Sequence, residues 1–296
     1  MSVRIGVNPI AWSNDDMIEL GGETPLEVCL AEGKQAGFDG FELGNKFPRQ
    51  ADKLRPILER HGLALVSGWY SARLLERTAE EEIQEVQDHL KLLKDMGCKV
   101  MVVAETTGCI HGERGIGLSK RPRMEPGQWP EFGRRMTEFG EYLRSQGLGL
   151  AYHYHMGTVV ETPEEIEQFM EHTGDAVGLL MDTGHLTFAG GDPVSLIRRW
   201  GSRINHVHCK DVRADVLQKV KAADSSFLNA VIDGVFTVPG DGSIDFKAVL
   251  TALKQVGYQG DWLVIEAEQD PAKANPLTYV TKGNQHLRGL VSEIGL

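Results

Sequence analysis

The sequence predicts a (β/α)8 barrel, in which a closed ring of eight parallel strands is surrounded by helices, formed as one domain over residues 1–296. Two observations support this prediction. Eight short β-type runs alternate along the chain with longer amphipathic stretches, which is the pattern of consecutive βα units. Short segments also repeat weakly, since residues 34–40 resemble 254–260, as expected for equivalent units in a ring.

The eight predicted strands are short apolar runs, several of which end at a polar residue. They cover roughly residues 4–8, 40–43, 63–67, 100–105, 148–155, 177–182, 204–208 and 263–266. Helix starts are predicted at Thr24, Thr78 and Thr162, because each is followed three residues later by a glutamate, as in a capping box. Helix ends are predicted where a glycine shortly precedes the next strand. These glycines are Gly37, Gly62, Gly97, Gly147 and Gly257.

Two features favour the closed barrel over an open, doubly wound sheet. The first strand is not followed by a Gly-x-Gly-x-x-Gly fingerprint, and the sequence contains no phosphate loop. Long segments rich in glycine and proline follow two of the predicted strands, at residues 106–130 and 212–245. In a barrel both segments lie on the catalytic face, where long loops form walls or lids.

The charge balance limits the classes of partner. The formal net charge of −11 argues against nucleic acid or an anionic membrane, because no basic excess is available to neutralise phosphates. The N-terminal apolar stretch is too short for a secretory signal, and no apolar run reaches bilayer-spanning length. We therefore expect a cytoplasmic protein with a small neutral or weakly charged substrate, while a homo-oligomer is left open. The cysteines lack metal or disulfide spacing and are expected to be reduced thiols.

Three predicted strands end in residues whose side chains can bind a metal ion. Asp182 ends the sixth strand, His208 the seventh and Glu266 the eighth. Because the carboxyl ends of parallel strands meet at one edge of the barrel, these side chains are predicted to project together. Divalent ions such as Mn²⁺, Co²⁺ and Mg²⁺ accept carboxylate and imidazole ligands, so we expect a metal site there. Taken singly, each acid can instead cap a helix or form a salt bridge in a loop.

Two histidines stand at the end of the fifth predicted strand. Since side chains alternate between the faces of a strand, His153 and His155 share one face, and Tyr152 and Tyr154 share the other. Inward-facing imidazoles near a barrel rim are candidates for metal ligation or catalysis, and His155 is a candidate base. The alternative is a structural role.

Four further residues are candidates because of their positions near strand ends. Glu42 and Glu105 can each contact substrate hydroxyls or act as a base, or pair with a nearby cation; we assign Glu42 to substrate binding and Glu105 to catalysis. Lys210, close to a metal ion, would have a lowered pKa and could serve as a base, or could form a salt bridge. Trp12 can form a wall for a sugar, although such residues more often pack in the core.

Several segments resemble a known family. Residues 181–185, 206–211 and 265–266 resemble the xylose isomerase-like barrel superfamily, and this resemblance extends over nearly the whole chain. More narrowly, residues 6–12, 152–158 and 233–242 resemble the inosose dehydratases, also called 2-keto-myo-inositol dehydratases. The resemblance implies a cytoplasmic, metal-dependent hydro-lyase of myo-inositol catabolism, with Mn²⁺ or Co²⁺ as its cofactor.

The resemblance also implies roles for individual residues. It assigns metal ligation to Asp182, His208 and Glu266, and substrate contact to His185. Many superfamily members have a glutamate ligand near the end of strand five, where this chain has His153. Whether His153, His155 or water takes the fourth ligand position is left open at this point.

The implied reaction converts 2-keto-myo-inositol, through an enolate, into a trihydroxycyclohexane-1,2-dione and water. His155, Lys210 and Glu105 are the candidate bases. The first alternative is a keto-sugar isomerase or 3-epimerase, which would use the same metal site but return the proton to carbon. A non-catalytic sugar-binding barrel and an endonuclease-type repair enzyme are further alternatives, and the acidic charge disfavours the last.

Overall fold

A computed structural model describes residues 3–296, and it confirms the predicted barrel. Eight parallel strands close into a ring in the order β1-β2-β3-β4-β5-β6-β7-β10, and β10 pairs with β1. These strands are β1 Arg4–Val7, β2 Gly40–Leu43, β3 Ala64–Ala72, β4 Val100–Glu105, β5 Gly149–Tyr152, β6 Val177–Asp182, β7 Ile204–Cys209 and β10 Trp262–Ile265. The short strands β8 Asp211–Val212 and β9 Phe236–Thr237 form a separate antiparallel ribbon.

Helices surround the ring and connect its strands. They are α1 Leu26–Gln35, α2 Ala51–His61, α3 Ala79–Glu85, α4 Gln87–Asp95, α5 Trp129–Ser145, α6 Pro163–His172, α7 Thr183–Ala189, α8 Pro193–Trp200, α9 Ala214–Ala222, α10 Phe227–Ile232, α11 Phe246–Gln255 and α12 Pro276–Ile294. Most are amphipathic, and their apolar faces pack on the outside of the sheet in one large core that includes Leu30, Phe132 and Leu250.

Strand limits were predicted well except on β3 and β5. Strand β3 continues to Ala72, because it pairs with β4 as far as Glu105. Strand β5 ends at Tyr152, so His153 and His155 lie just beyond it rather than within it. Both histidines nevertheless point to the inside of the barrel rim, as the alternation of side chains predicted.

Helix starts and ends follow the sequence with one exception. Thr78 and Thr162 form capping boxes with Glu81 and Glu165, as predicted. The predicted Thr24 cap is wrong, since α1 begins at Leu26 and its N-cap, Pro25, has no side chain that can accept a hydrogen bond. All five glycines that were predicted to end helices have a positive φ, a conformation that L-residues with a side chain rarely adopt.

The two long segments are not structureless loops. Residues 106–130 contain only short 3-10 turns before α5, whereas 212–245 contain α9, α10 and β9. The second segment is held by the buried Asp211, whose carboxylate accepts hydrogen bonds from the backbone N–H groups of Gly240, Gly242 and Ile244. Both segments lie on the side of the barrel where the strands end, so they can wall a site there.

Two findings complete the description of residues 3–296. Within this range no helix has the length and apolarity that crossing a membrane requires. The cysteines are free, and Cys29, Cys98 and Cys209 are buried, in keeping with the prediction of reduced thiols.

Candidate active site

A cavity of about 230 Å³ opens at the carboxyl ends of the strands. This end of a parallel barrel is where catalytic residues gather, because side chains from different strands converge there. Five residues that were predicted to form the site line the cavity together. They are Glu42, His153, His155, His208 and Glu266.

Asp182 uses its two carboxylate oxygens for different purposes. Oδ1 accepts a hydrogen bond of 2.8 Å from the backbone N–H of His185 and so caps α7. Oδ2 is buried and has no hydrogen-bond partner. It lies 3.7 Å from His153 Nε2 and 3.5 Å from His208 Nδ1. Asp182 can therefore fill both predicted roles, since Oδ1 caps a helix while Oδ2 is available to a metal ion.

The orientation of His153 leaves a lone pair facing Asp182. Its Nδ1 contacts the backbone carbonyl of Tyr154, so Nδ1 carries the hydrogen and Nε2 does not. Nε2 has no hydrogen-bond partner in the structure. Burial, reinforced by the nearby His208, lowers the pKa of His153 to about 3 and keeps the ring neutral. A neutral imidazole beside a carboxylate, with no hydrogen between them, suits a bound cation.

His208 presents its other nitrogen to the same place. Its Nε2 lies 3.1 Å from Glu42 Oε2 and donates to it, while Nδ1 lies 3.0 Å from Glu266 Oε2. Burial alone would lower the pKa of His208, but the charges of Glu266 and Glu42 raise it well above the usual value. A divalent ion can take the place of the Nδ1 proton between His208 and its carboxylate neighbours.

These atoms make a donor set that fits a divalent metal ion. His153 Nε2 and Asp182 Oδ2 are buried polar atoms without hydrogen-bond partners among residues 3–296, which is costly unless a ligand satisfies them. His208 Nδ1 faces the same place and contacts only carboxylate oxygens, those of Glu266 at 3.0 Å and Asp182 at 3.5 Å. Glu266 adds a second carboxylate within contact distance of His208. Two imidazoles and two carboxylates are ligands that Mn²⁺, Co²⁺ and Zn²⁺ accept.

Tyr154, between the two strand-five histidines, ties this segment to β6. Its hydroxyl donates to the carbonyl oxygen of Asp182 at 2.8 Å and accepts from the Asp182 N–H at 2.8 Å. The phenol is fully buried. It therefore fixes the height of Asp182 relative to His153 and His155.

Glu42 lines the cavity and holds His208, one of the predicted metal ligands. Its carboxylate accepts hydrogen bonds from Asn8 Nδ2, Ser67 Oγ, His206 Nε2 and His208 Nε2, at 2.9, 2.5, 2.8 and 3.1 Å. Burial would raise the pKa of Glu42, but the two histidines outweigh it and bring the pKa well below its usual value. With these four donors bound, the carboxylate orients His208, and its predicted contact with substrate stays a prediction.

Changing Glu42 to glutamine is expected to weaken metal binding by about 10–100-fold, the usual effect of removing such a supporting carboxylate. Glutamine has the size of glutamate but no charge, and its NH₂ group would face a side chain that is itself a hydrogen-bond donor. Metal affinity is measured by titration calorimetry. Glu82→Gln is the matched control, since Glu82 is also a buried acceptor of several donors but lies away from the cavity. Equal affinities for the two variants would contradict the supporting role.

Lys210 is surrounded by carboxylates, which oppose the lowering of its pKa that was predicted for a lysine close to a metal ion. Its ammonium lies 2.6 Å from Glu266 Oε1, 2.9 Å from Glu268 Oε2 and 3.7 Å from Asp182 Oδ2. Burial favours the neutral amine, but these three carboxylates outweigh burial and raise the pKa of Lys210 above its usual value. The side chain is fully buried and does not line the cavity. In this arrangement Lys210 is a buried cation among three carboxylates, and its role as a base stays a prediction.

His185 is also out of reach of a molecule in the cavity. It is fully buried, and its Nε2 accepts a hydrogen bond of 2.8 Å from Lys210 Nζ. Burial and the charge of Lys210 lower the pKa of His185 well below its usual value. In the structure His185 therefore contacts Lys210, and its predicted contact with substrate stays a prediction.

His155 is placed as a base should be. It lines the cavity, and its Nδ1 donates to the carbonyl of Met156 at 2.8 Å, which leaves a lone pair on Nε2. Glu268 Oε1 lies 3.9 Å from this Nε2. Burial opposes the charged form of His155, but the carboxylate of Glu268 outweighs burial and raises the pKa. Glu268 is therefore placed where it can stabilise an imidazolium at His155.

The remaining two predicted residues lie outside the cavity. The Trp12 indole is buried against Phe41 and donates to Glu32 Oε2, so its role is core packing. The Glu105 carboxylate accepts hydrogen bonds from the backbone N–H groups of Leu74 and Thr107, at 2.7 and 2.9 Å. Burial raises the pKa of Glu105 to about 7, but its position makes it an anchor of two loops and not a catalytic base.

The structure places several residues at the site that the sequence did not predict. Glu268 is one, although the spacing Glu266-Ala267-Glu268 at a strand end suggests two acids on one side. Asn8, at the end of β1, is another, since its amide bridges Glu42 and Glu266 at 2.9 and 3.0 Å. The others lie in loops, where no periodicity identifies a functional residue. They are Asp15, Asp16, Arg49 and His111.

Comparison with known proteins relates this geometry to a family. The family model described as "Xylose isomerase-like TIM barrel" matches residues 30–290. The rhizopine catabolism protein MocC of Rhizobium meliloti is 50% identical over 295 residues, covering 100% of this chain and 90% of that protein. An inosose dehydratase of Geobacillus thermodenitrificans is 46% identical over 288 residues, covering 97% of this chain and 96% of that protein.

Solved structures share the fold at lower identity. The probable 3-DHS dehydratase AsbF from Bacillus anthracis has a TM-score of 0.69 at 13% identity and covers 96% of this chain and 98% of that chain. The IOLI protein, solved with a bound zinc atom, has a TM-score of 0.63 at 18% identity and covers 98% and 97%. At these identities the likeness concerns the fold alone. With the full-length relatives, the resemblance to inosose dehydratases and the prediction of a dehydratase, a lyase, are confirmed.

Proposed function

Since this chain belongs to the xylose isomerase-like TIM barrel family, we propose that it is a metal-dependent dehydratase of myo-inositol catabolism. Its substrate would be 2-keto-myo-inositol, and its products a trihydroxycyclohexane-1,2-dione and water. The observation that carries this proposal is the convergence of three buried atoms, His153 Nε2, Asp182 Oδ2 and His208 Nδ1, beside a cavity that His155 also lines.

The metal ion is proposed to be held by His153, Asp182, His208 and Glu266, with Mn²⁺ or Co²⁺ as the cofactor. A relative in fold, IOLI, was solved with zinc, which supports a divalent ion in this type of barrel. When bound, such an ion supplies Lewis-acid polarisation of a carbonyl oxygen. We place His153 in the fourth ligand position, because its Nε2 has no hydrogen-bond partner among residues 3–296, whereas His155 Nε2 faces Glu268.

His155 is proposed to move the proton. Its Nε2 would take the hydrogen from the carbon next to the ketone, and Glu268 would stabilise the resulting imidazolium. The hydroxyl on the following carbon would then leave, taking the proton back from His155 and departing as water. The enol that remains would ketonise to the 1,2-dione. One residue thus suffices for both proton transfers.

The other cavity walls suit a small polyol ring. Trp69 lines the cavity, with its indole 5.5 Å from the ring of His153 and 5.7 Å from that of His155, and offers an apolar face. Asp15, Asp16 and Arg49 offer partners for hydroxyl groups. Because carboxylates outnumber cations around the cavity, we infer a neutral substrate and not a phosphorylated one.

The test is incubation of the purified, metal-loaded protein with 2-keto-myo-inositol, with formation of the dione followed by absorbance and product identity confirmed by mass. The product is expected to be lighter than 2-keto-myo-inositol by the mass of one water molecule. The alternative, a keto-sugar isomerase or 3-epimerase on the same site, predicts a product of unchanged mass. Rhizopine is included as a second compound, because one relative is named for its catabolism. Turnover without loss of water would overturn the proposal.

We further infer that the protein works in the cytoplasm as one barrel domain over residues 1–296, with segments 106–130 and 212–245 as walls of the site. His111 from the first segment lines the cavity, and Phe227 from the second packs 4.9 Å from the ring of His155.

No nucleic acid or membrane partner is proposed, in keeping with the acidic charge. A homo-oligomer is compatible with this function.

A further inference from the structure

A second group of buried ligating side chains lies beside the proposed metal site. One atom each from His155, His185 and Glu268 lie within 4.8 Å of one another, and all three residues are buried. Imidazole and carboxylate groups at such separations are a typical metal-binding set. The proposed function uses His155 and Glu268 for proton transfer but gives no role to His185.

The side chain of Lys210 reaches into this group. Its Nζ lies 2.8 Å from His185 Nε2 and 2.9 Å from Glu268 Oε2, and it also contacts Glu266 Oε1 at 2.6 Å. An ammonium has only hydrogens to donate, so His185 Nε2 must present a lone pair to it. The ammonium therefore occupies the point at which the lone pair of His185 and two carboxylate oxygens converge.

The position of this ammonium is built into the fold. A Cβ on Gly184 would lie 2.5 Å from Lys210 Cγ, so the lysine stem passes where only glycine leaves room. The Lys210 backbone N–H donates to Thr183 Oγ1 at 2.9 Å, and the Phe236 ring lies 4.8 Å from Nζ. The side chain is completely buried, so its place is set by packing and not by solvent.

We propose that the Lys210 ammonium takes the place of a second divalent ion and thereby keeps the metal centre mononuclear. Three buried carboxylates, those of Asp182, Glu266 and Glu268, face Lys210. One divalent ion and one ammonium balance their charge. Removing the ammonium leaves two carboxylates and the lone pair of His185 without a cation, and a second ion can then bind between them. The inference rests on the proposed function only in its use of the first metal site.

The test is the number of metal ions per chain after saturation with Mn²⁺ and removal of the excess. The unaltered protein is expected to hold one ion and Lys210→Ala two, since alanine vacates the space of the ammonium. Lys210→Arg, which keeps a cation, is expected to stay at one. Two ions in the unaltered protein, or one in Lys210→Ala, would overturn the inference. An unaltered protein without stoichiometric metal would instead contradict the proposed function.

Two further measurements locate the second ion. The double variant Lys210→Ala, His185→Ala loses one of the new ligands and is expected to return to one ion. Electron paramagnetic resonance of Lys210→Ala with Mn²⁺ is expected to give the spin-coupled signal of two ions about 3.5–4 Å apart, as in known two-metal sites. If Lys210→Ala does not fold, Lys210→Gln, which is shorter and uncharged, is used for the same count. Two uncoupled Mn²⁺ ions would place the extra ion elsewhere and refute the assignment.

Discussion

Replacing Asp182 by asparagine is expected to abolish stoichiometric metal binding and to lower turnover by at least about a thousandfold, because Lewis-acid stabilisation supplies several kcal/mol to such reactions. Asparagine keeps an oxygen that can cap α7 through the His185 N–H. It removes the charge from the unpartnered Oδ2, which lies 3.5 Å from His208 Nδ1. Metal content is measured by inductively coupled plasma mass spectrometry, and turnover by formation of the dione.

The chain contains a matched control for this substitution. Asp192 caps α8 in the same way, through an oxygen that accepts from the Ser195 N–H at 2.7 Å, but it lies at the surface away from the cavity. Asp192→Asn is expected to keep both metal and activity. If Asp182→Asn retained a full complement of metal, the ligand assignment of Asp182 would be wrong.

Replacing His155 by asparagine is expected to lower kcat by about 10²–10⁴-fold, the usual contribution of a general base, while metal content stays the same. The asparagine amide can still donate to the Met156 carbonyl, as Nδ1 does, but the Nε2 lone pair is lost. The measurements are kcat, KM and metal content on the same preparation. Unchanged metal with reduced kcat separates His155 from the ligand His153.

His172→Asn serves as the control for this variant. The His172 Nδ1 also contacts a backbone carbonyl, that of Gln168 at 2.7 Å, but His172 lies on α6 away from the cavity. Its activity is expected to equal that of the unaltered protein. Loss of metal in His155→Asn, with His153 and the other ligands intact, would show that His155 is itself a ligand and would leave the proton transfer without a residue.

The barrel was predictable because its evidence is repeated along the chain. Each βα unit offers an apolar run, a helix cap and a terminal glycine, so an error such as the Thr24 cap does not change the fold. Asp182, His208 and Glu266 were predictable for a related reason. Parallel strands bring their last residues to one edge whatever the rest of the sequence does.

The roles of single residues were less predictable, because they depend on partners from distant parts of the chain. The pKa of Lys210 is decided by three carboxylates on β6 and after β10, and their number outweighs burial. Trp12 and Glu105 stand near strand ends like the residues that line the cavity, but Glu32 and the backbone of Leu74 and Thr107 hold them elsewhere. Strand position predicts which end of the barrel a residue occupies, and not which neighbour it meets.

The phenol of Tyr154 has a consequence for how this kind of site can diversify. Its hydroxyl holds both the N–H and the carbonyl of Asp182 from the outer side of the sheet, while the neighbouring residues His153 and His155 face the chemistry. Tyr154 thus fixes the backbone of the barrel wall from the side that faces away from the cavity. Side chains on the cavity face can therefore differ without changing this contact, since the phenol binds the backbone of Asp182 and not its side chain. Loss of the Tyr154 hydroxyl would displace two proposed ligands, Asp182 and His153, while leaving every side chain of the cavity unchanged.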